Sequence, residues 1–174
     1  MKLYIKDSKD INFSRFLIFD ELGNIRYRVS IEYTSLAAKL DVYDTNNKRI
    51  AKIRKRDIMS FTTYTVSCKK GKIKVIGKLT GEDPGFYING INWYLNGCAP
   101  WHNFDIINVD KSIVMTHCMK WSQFGSNYEL KINEEDKELL CVCISLCIDT
   151  LLVNLEKTKA VAPLRNQEAA RTSY

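Results

Sequence analysis

This chain predicts a mainly-β fold: a closed antiparallel barrel of about twelve strands wrapped around one hydrophobic C-terminal helix. Three observations carry that expectation. The stretch from Leu139 to Leu155 is apolar almost all round, so a helix there must be buried on every side. Almost everything before it alternates apolar and polar residues with period two. Pairs rich in Gly and Asn punctuate those runs, and such pairs tolerate the positive φ of tight hairpin turns. A sheet that large escapes exposed edges by closing, and the helix would fill the space it encloses.

The strands are expected near 2–6, 14–19, 25–33, 38–43, 48–54, 59–67, 72–79, 85–88, 91–96, 103–108, 112–120 and 126–132. Hairpin turns are expected at Gly23-Asn24, Asn46-Asn47, Lys70-Gly71, Asn89-Gly90 and Asn96-Gly97. Helix signals begin with Glu134, Glu135, Asp136 and Glu138 and end with Lys157 and Lys159. Acid first and base last complements the helix dipole, which places the helix at 134–157. A membrane span needs about 20 apolar residues. This run is shorter and is interrupted by Ser145, Asp149, Thr150 and Asn154, so no transmembrane span is expected. Asp149 must then face a polar gap or a backbone donor, because a buried charge without a partner is costly.

At 174 residues, 45% of them hydrophobic, one globular domain with a sizeable core is expected. That barrel domain covers 1–157, and 158–174, with no apolar period, reads as a flexible tail. Of six cysteines, Cys141, Cys143 and Cys147 lie together on the apolar helix, where they pack as small hydrophobes. The N-terminus alternates like a strand and shows no secretory signal, so a reducing cytoplasm is expected.

Charge is distributed unevenly. Between Lys48 and Lys78 eleven basic residues meet one acid, Asp57, so this segment carries +10 and the rest of the chain −4 of the overall +6. Such asymmetry suits an anionic partner. On the strand from Lys72, Ile73 and Val75 should face inward, which turns Lys72, Lys74 and Lys78 outward. Lys52, Arg54 and Arg56 share parity on a nearby strand. These six form the candidate anion-binding patch, suited to anionic membrane phospholipid. A solvated face of a protein-interaction scaffold is the alternative. Nucleic acid is a further one, weakened because no aromatics interleave with the lysines as stacking platforms would require.

The sequence also echoes itself. Leu40-Asp-Val-Tyr-Asp resembles Phe104-Asp-Ile-Ile-Asn 64 positions later. Ile50-Ala51 resembles Ile113-Val114. Phe61 with Tyr64-Thr-Val resembles Phe124 with Tyr128-Glu-Leu. Two related half-barrels are expected, the basic strand belonging to the first alone.

With "SLAAKLDVYDTNNKRIAKI" in the first half, and "YELKI", acids and "LLCVCISLCID" in the second, residues 1–157 resemble the LURP-one-related, tubby C-terminal-like proteins of the bacterial YxjI-like branch. The resemblance implies a twelve-stranded barrel around a central helix. It implies little about activity: tubby domains bind phosphoinositides through basic residues, phospholipid scramblases look like distant relatives, and plant members are associated with defence. No tubby phosphoinositide motif is present to carry over.

Catalytic chemistry finds no motif. Metal ligands would come from His102, His117 and the cysteines, but Cys-x-x-Cys and His-x-x-x-His are absent, so no metal and no cofactor are expected. Cys98 or Cys118 with His102 or His117 is the only conceivable nucleophile and base, and adjacent His117 and Cys118 point to opposite faces of a strand. The histidines are expected to be half-exposed. There is no Gly-x-Ser-x-Gly, P-loop or dinucleotide fingerprint. The expectation is a non-enzymatic domain, cytoplasmic or peripheral to a membrane. Trp93, Trp101 and Trp121 are expected to pack at the barrel ends.

Overall fold

In the computed structural model the described residues are 1–8, 15–33, 37–58, 61–78, 85–122 and 125–152, with backbone alone at 121–122 and 125–127. All twelve expected strands form: β1 (Lys2–Asp7), β2 (Phe16–Asp20), β3 (Ile25–Tyr33), β4 (Ala37–Tyr43), β5 (Arg49–Ile58), β6 (Phe61–Cys68), β7 (Gly71–Lys78), β8 (Phe86–Asn89), β9 (Trp93–Cys98), β10 (Asn103–Asn108), β11 (Ile113–Ser122) and β12 (Gly125–Ile132). A 3-10 turn, Glu135–Lys137, leads into helix α1, described over 138–152. The expected helix end at 153–157 and the tail 158–174 lie outside the described residues.

The sheet runs in the order β8-β7-β6-β5-β4-β3-β2-β1-β12-β11-β10-β9, with every pairing antiparallel. Its first and last strands, β8 and β9, are consecutive in sequence and lie in contact, yet no ladder joins them. The barrel is therefore nearly closed rather than closed. Period-two alternation sends Leu3, Ile5, Val29, Leu40, Ile53, Val66, Val75 and Leu130 inward. They meet α1, which is buried at every position from Leu140 to Leu152. The wall comes close to the helix at Gly77 on β7, where an added Cβ would stand 2.8 Å from Leu151 Cδ1.

The turns show why the strands reverse where they do. Asp20 and Asp44 each accept backbone N–H groups two and four residues on, at 2.8–2.9 Å, the side chain standing in for a turn. The third turn residue is left-handed, at Gly23 (φ 81°), Asn47 (φ 59°) and Lys111 (φ 67°). Each of the three hairpins carries a bulge just after its turn, where Arg26, Ile50 and Val114 are the extra residues on the returning strand. Asn96-Gly97 departs from expectation: it lies inside β9 and turns nothing. Gly97 has φ 112°, and a Cβ there would stand 2.9 Å from Asn103 O, so the glycine permits close approach of β10.

The helix start is tied to the wall. Glu138 accepts from Arg26 Nε at 3.0 Å, Arg26 Nη2 at 3.1 Å and Tyr27 Oη at 2.9 Å. Those hydrogen bonds hold the Arg26 guanidinium in its charged form, well above its ordinary pKa. Among the described residues no helix is long and apolar enough to cross a membrane.

Candidate functional site

The six basic residues converge as their parity predicts. Register pairs Lys52 with Ser67 and Ser67 with Lys72, and pairs Arg54 with Thr65 and Thr65 with Lys74. Each row thus runs cation, hydroxyl, cation across β5, β6 and β7 on the outer face. Arg56 continues the β5 side, opposite Thr63, and Lys78 stands opposite Phe61. Among the described residues none of the six forms an ion pair, whereas Lys39, Lys55 and Lys70 are held by Asp41, Asp57 and Asp136. The patch also has an apolar end that parity alone did not single out. Ile58 pairs with Phe61, and both are exposed; Tyr87, opposite Ile76, is exposed as well.

A second feature, absent from the sequence reading, adjoins the patch. An open cavity of about 720 Å³ lies where the β4–β5 and β6–β7 turns meet the start of α1. Its floor is Ile50, Ala51, Cys68 and Leu139, and its rim carries Lys48, Arg49, Lys52, Lys69 and Lys70 beside one acid, Asp44. A volume in the range of small-ligand pockets, with an apolar floor and a cationic rim, suits an anionic amphiphile. These basic residues belong to the same charged segment; their gathering needed the two turns and the helix to meet.

The histidines overturn an expectation. His102 and His117 are 6% and 0% exposed, not half-exposed, and Asp149 is 2% exposed. His117 shares an inward row with Phe104 and Leu130. His102 closes the 3-10 turn Ala99–Trp101 in a left-handed conformation (φ 49°, ψ 38°). Among the described residues the Asp149 carboxylate meets two imidazoles, not the polar gap or backbone donor expected. His102 Nδ1 lies 3.1 Å from its Oδ1, and His117 Nε2 lies 3.2 Å from its Oδ2. Burial pushes the Asp149 carboxyl up, but the facing imidazoles outweigh it and hold the group below its ordinary pKa. Tyr128 stacks on both rings, at 4.7 Å and 5.2 Å between centroids, and Phe104 stacks on His117 at 4.5 Å.

The cysteines do not join this cluster. Cys98 and Cys118 both sit opposite Asn103, on the face away from His117, so no thiol–imidazole dyad forms. Cys98 is exposed, while Cys118 leans toward Glu129 Oε1 at 4.0 Å. Cys141, Cys143 and Cys147 are buried as expected. Trp93 is buried, Trp101 is exposed, and the Trp121 side chain lies outside the described residues.

Twelve antiparallel strands wound about a buried C-terminal helix define a tubby-like barrel. The chain belongs to the LURP-one-related family, whose sequence profile matches residues 1–149. It is similar to the uncharacterized protein YxjI of Bacillus subtilis (strain 168), 26% identical over 157 residues that cover 90% of this chain and 96% of that protein. Among solved structures it is similar to an X-ray structure of a protein from Arabidopsis thaliana, with a TM-score of 0.52 at 14% identity, over 86% of this chain and 90% of that one. At that identity the likeness concerns the fold.

Proposed function

We propose that this chain is a non-enzymatic binding domain that docks on anionic phospholipid surfaces through the outer face of β5, β6 and β7. The observation that carries the reading is the set of six cations without ion-pair partners among the described residues, Lys52, Arg54, Arg56, Lys72, Lys74 and Lys78, continuous with exposed Ile58, Phe61 and Tyr87. Basic residues near an anionic membrane contribute about 1 kcal/mol each. Exposed apolar and aromatic side chains beside them add burial at the headgroup boundary. The cavity rimmed by Lys48, Arg49, Lys69 and Lys70 would take a headgroup at the edge of the docked face. In this reading 1–157 is one cytoplasmic domain, peripheral to the membrane, and 158–174 is a tail outside it.

Sedimentation with vesicles tests the proposal. Binding is expected to anionic but not neutral vesicles, and to weaken with salt because the contacts are exposed charges. Reversing Arg54, Lys72 and Lys74 to Glu should cut affinity at least about a hundredfold, from about 3 kcal/mol of lost attraction. Ile58→Ser with Phe61→Ser should weaken binding with little change in its salt dependence. No binding to either vesicle type would return the patch to solvated surface and favour a protein-interaction scaffold. Steeply salt-dependent retention of DNA or RNA without vesicle binding would favour nucleic acid.

A further inference from the structure

Deep in the barrel, and independent of its basic face, three groups from three elements aim at one point. His102 comes from the turn before β10, His117 from β11 and Asp149 from α1. One ligating atom from each lies within 4.8 Å of the others. The two imidazoles stand beside different oxygens of the one carboxylate, His102 Nδ1 at 3.1 Å from Oδ1 and His117 Nε2 at 3.2 Å from Oδ2, so an ion between the rings has a carboxylate oxygen within reach on either side.

With its N–H on Nδ1, His117 donates to the carbonyl oxygen of His102 at 3.3 Å, which leaves the Nε2 lone pair, 3.2 Å from Asp149 Oδ2, free to ligate. The surroundings are those of a metal ligand. The distal N–H of a ligating histidine is usually held by a carbonyl or carboxylate, as here. Tyr128 and Phe104 fix the ring planes by stacking. His102 holds a left-handed backbone uncommon for a non-glycine residue, at a site where it aims Nδ1 at Asp149.

We propose that His102 Nδ1, His117 Nε2 and a carboxylate oxygen of Asp149 form a binding site for one first-row divalent metal ion such as Zn²⁺. The donor set of two imidazoles and one carboxylate suits Zn²⁺, Co²⁺ or Fe²⁺ and lacks the thiolate that softer ions select. Three protein ligands leave a fourth position for water or a small anion. The ion would also fasten the helix to the wall near the β9–β10 turn.

The test uses the full chain, stripped with a chelator and titrated with Co²⁺. Uptake of one ion per chain is expected, with visible d–d absorption, no thiolate charge-transfer band, and displacement by Zn²⁺. Excess Zn²⁺ should raise Tm, because the ion binds the folded state. His102→Ala, His117→Gln and Asp149→Asn should each weaken uptake by about ten- to a hundredfold or more. A Cys98→Ser, Cys118→Ser variant should bind as the parent does. Should a core variant fail to fold, stoichiometry, spectrum and Tm of the parent chain decide. No saturable uptake by the parent chain overturns the site in favour of an imidazolium–carboxylate pair. Uptake that needs Cys98 or Cys118, or that survives His102→Ala, overturns it equally.

Discussion

Tyr64 is the residue whose chemistry fits its surroundings least. Its ring is buried on the inner face of β6, and its hydroxyl has no hydrogen-bond partner among the described residues. An unpaired buried hydroxyl costs about 1–3 kcal/mol, whereas the ring supplies packing. Tyr64→Phe keeps the ring and should therefore leave stability unchanged or raise it by about 1 kcal/mol. Urea denaturation would show this; a loss beyond about 2 kcal/mol would mean that the hydroxyl has a partner. The helix cysteines report burial in another way. Burial pushes the Cys141 thiol from its ordinary 9.0 up to about 12, with nearby acids adding to the effect. Cys143 and Cys147 are pushed higher still, again chiefly by burial. At pH 8 a thiol reagent should label exposed Cys98 quickly and the three helix thiols only after unfolding. The same shifts fix a sign. Above pH 9 the unfolded chain releases thiol protons that the folded chain retains. It then binds fewer protons, so stability falls as pH rises through the window from 9 to 12. A Tm that stays flat from pH 8 to pH 10.5 would contradict this.

At the scale of elements, contact between wall and helix limits what the sequence can vary. Gly77 faces α1, with Leu151 in the space a side chain would need. Gly77→Val should destabilise by about 1–3 kcal/mol through overpacking, and pairing it with Leu151→Ala should recover part of the loss. A double variant no better than the sum of the two single variants would show that the two positions do not compete for space. The hairpins at 20–24 and 44–48 were readable in advance because their chemistry is local, whereas the equivalent turn at 108–112, with no glycine, was not singled out. The echoed segments 40–44 and 104–108 end in the same kind of turn, but the hairpin at Asp20–Asn24, outside the echo, shares it, so the pattern belongs to the turn type. Asp44 N–H donates to Lys48 O at 3.0 Å and Asn47 N–H to Asp44 O at 3.1 Å; 64 positions on, Asn108 N–H donates to Ser112 O at 2.9 Å and Lys111 N–H to Asn108 O at 3.0 Å. Asn96-Gly97 was misread as a turn because a glycine that permits close strand approach looks the same as one that reverses the chain.

Across the whole molecule, twelve strands wrap almost fully around one helix, and that wrapping decides which distant residues meet. The chain's own residues determined the alternation that builds each strand, the Asp, Asn and Gly chemistry of two hairpins, the burial of α1, and the outward parity of Lys52, Arg54, Arg56, Lys72, Lys74 and Lys78. All of these depend on neighbours a few positions apart, or on one segment's balance of polar and apolar side chains. Two signals toward the core cluster were also local. Ser145 and Asp149 are four apart on one helical face, and His117 shares parity with inward Met115; Ser145 Oγ reaches Met115 Sδ at 3.6 Å. Their meaning was hidden, because an Asp in a buried helix predicts only that some partner exists. Tertiary structure alone decided that the partners are His102 and His117, 47 and 32 positions away. It alone left the seam between β8 and β9 without a ladder, and gathered the basic rim around Leu139. Each depends on strand register summed around the barrel, and a shift of one residue in that register would turn His117 to the outside.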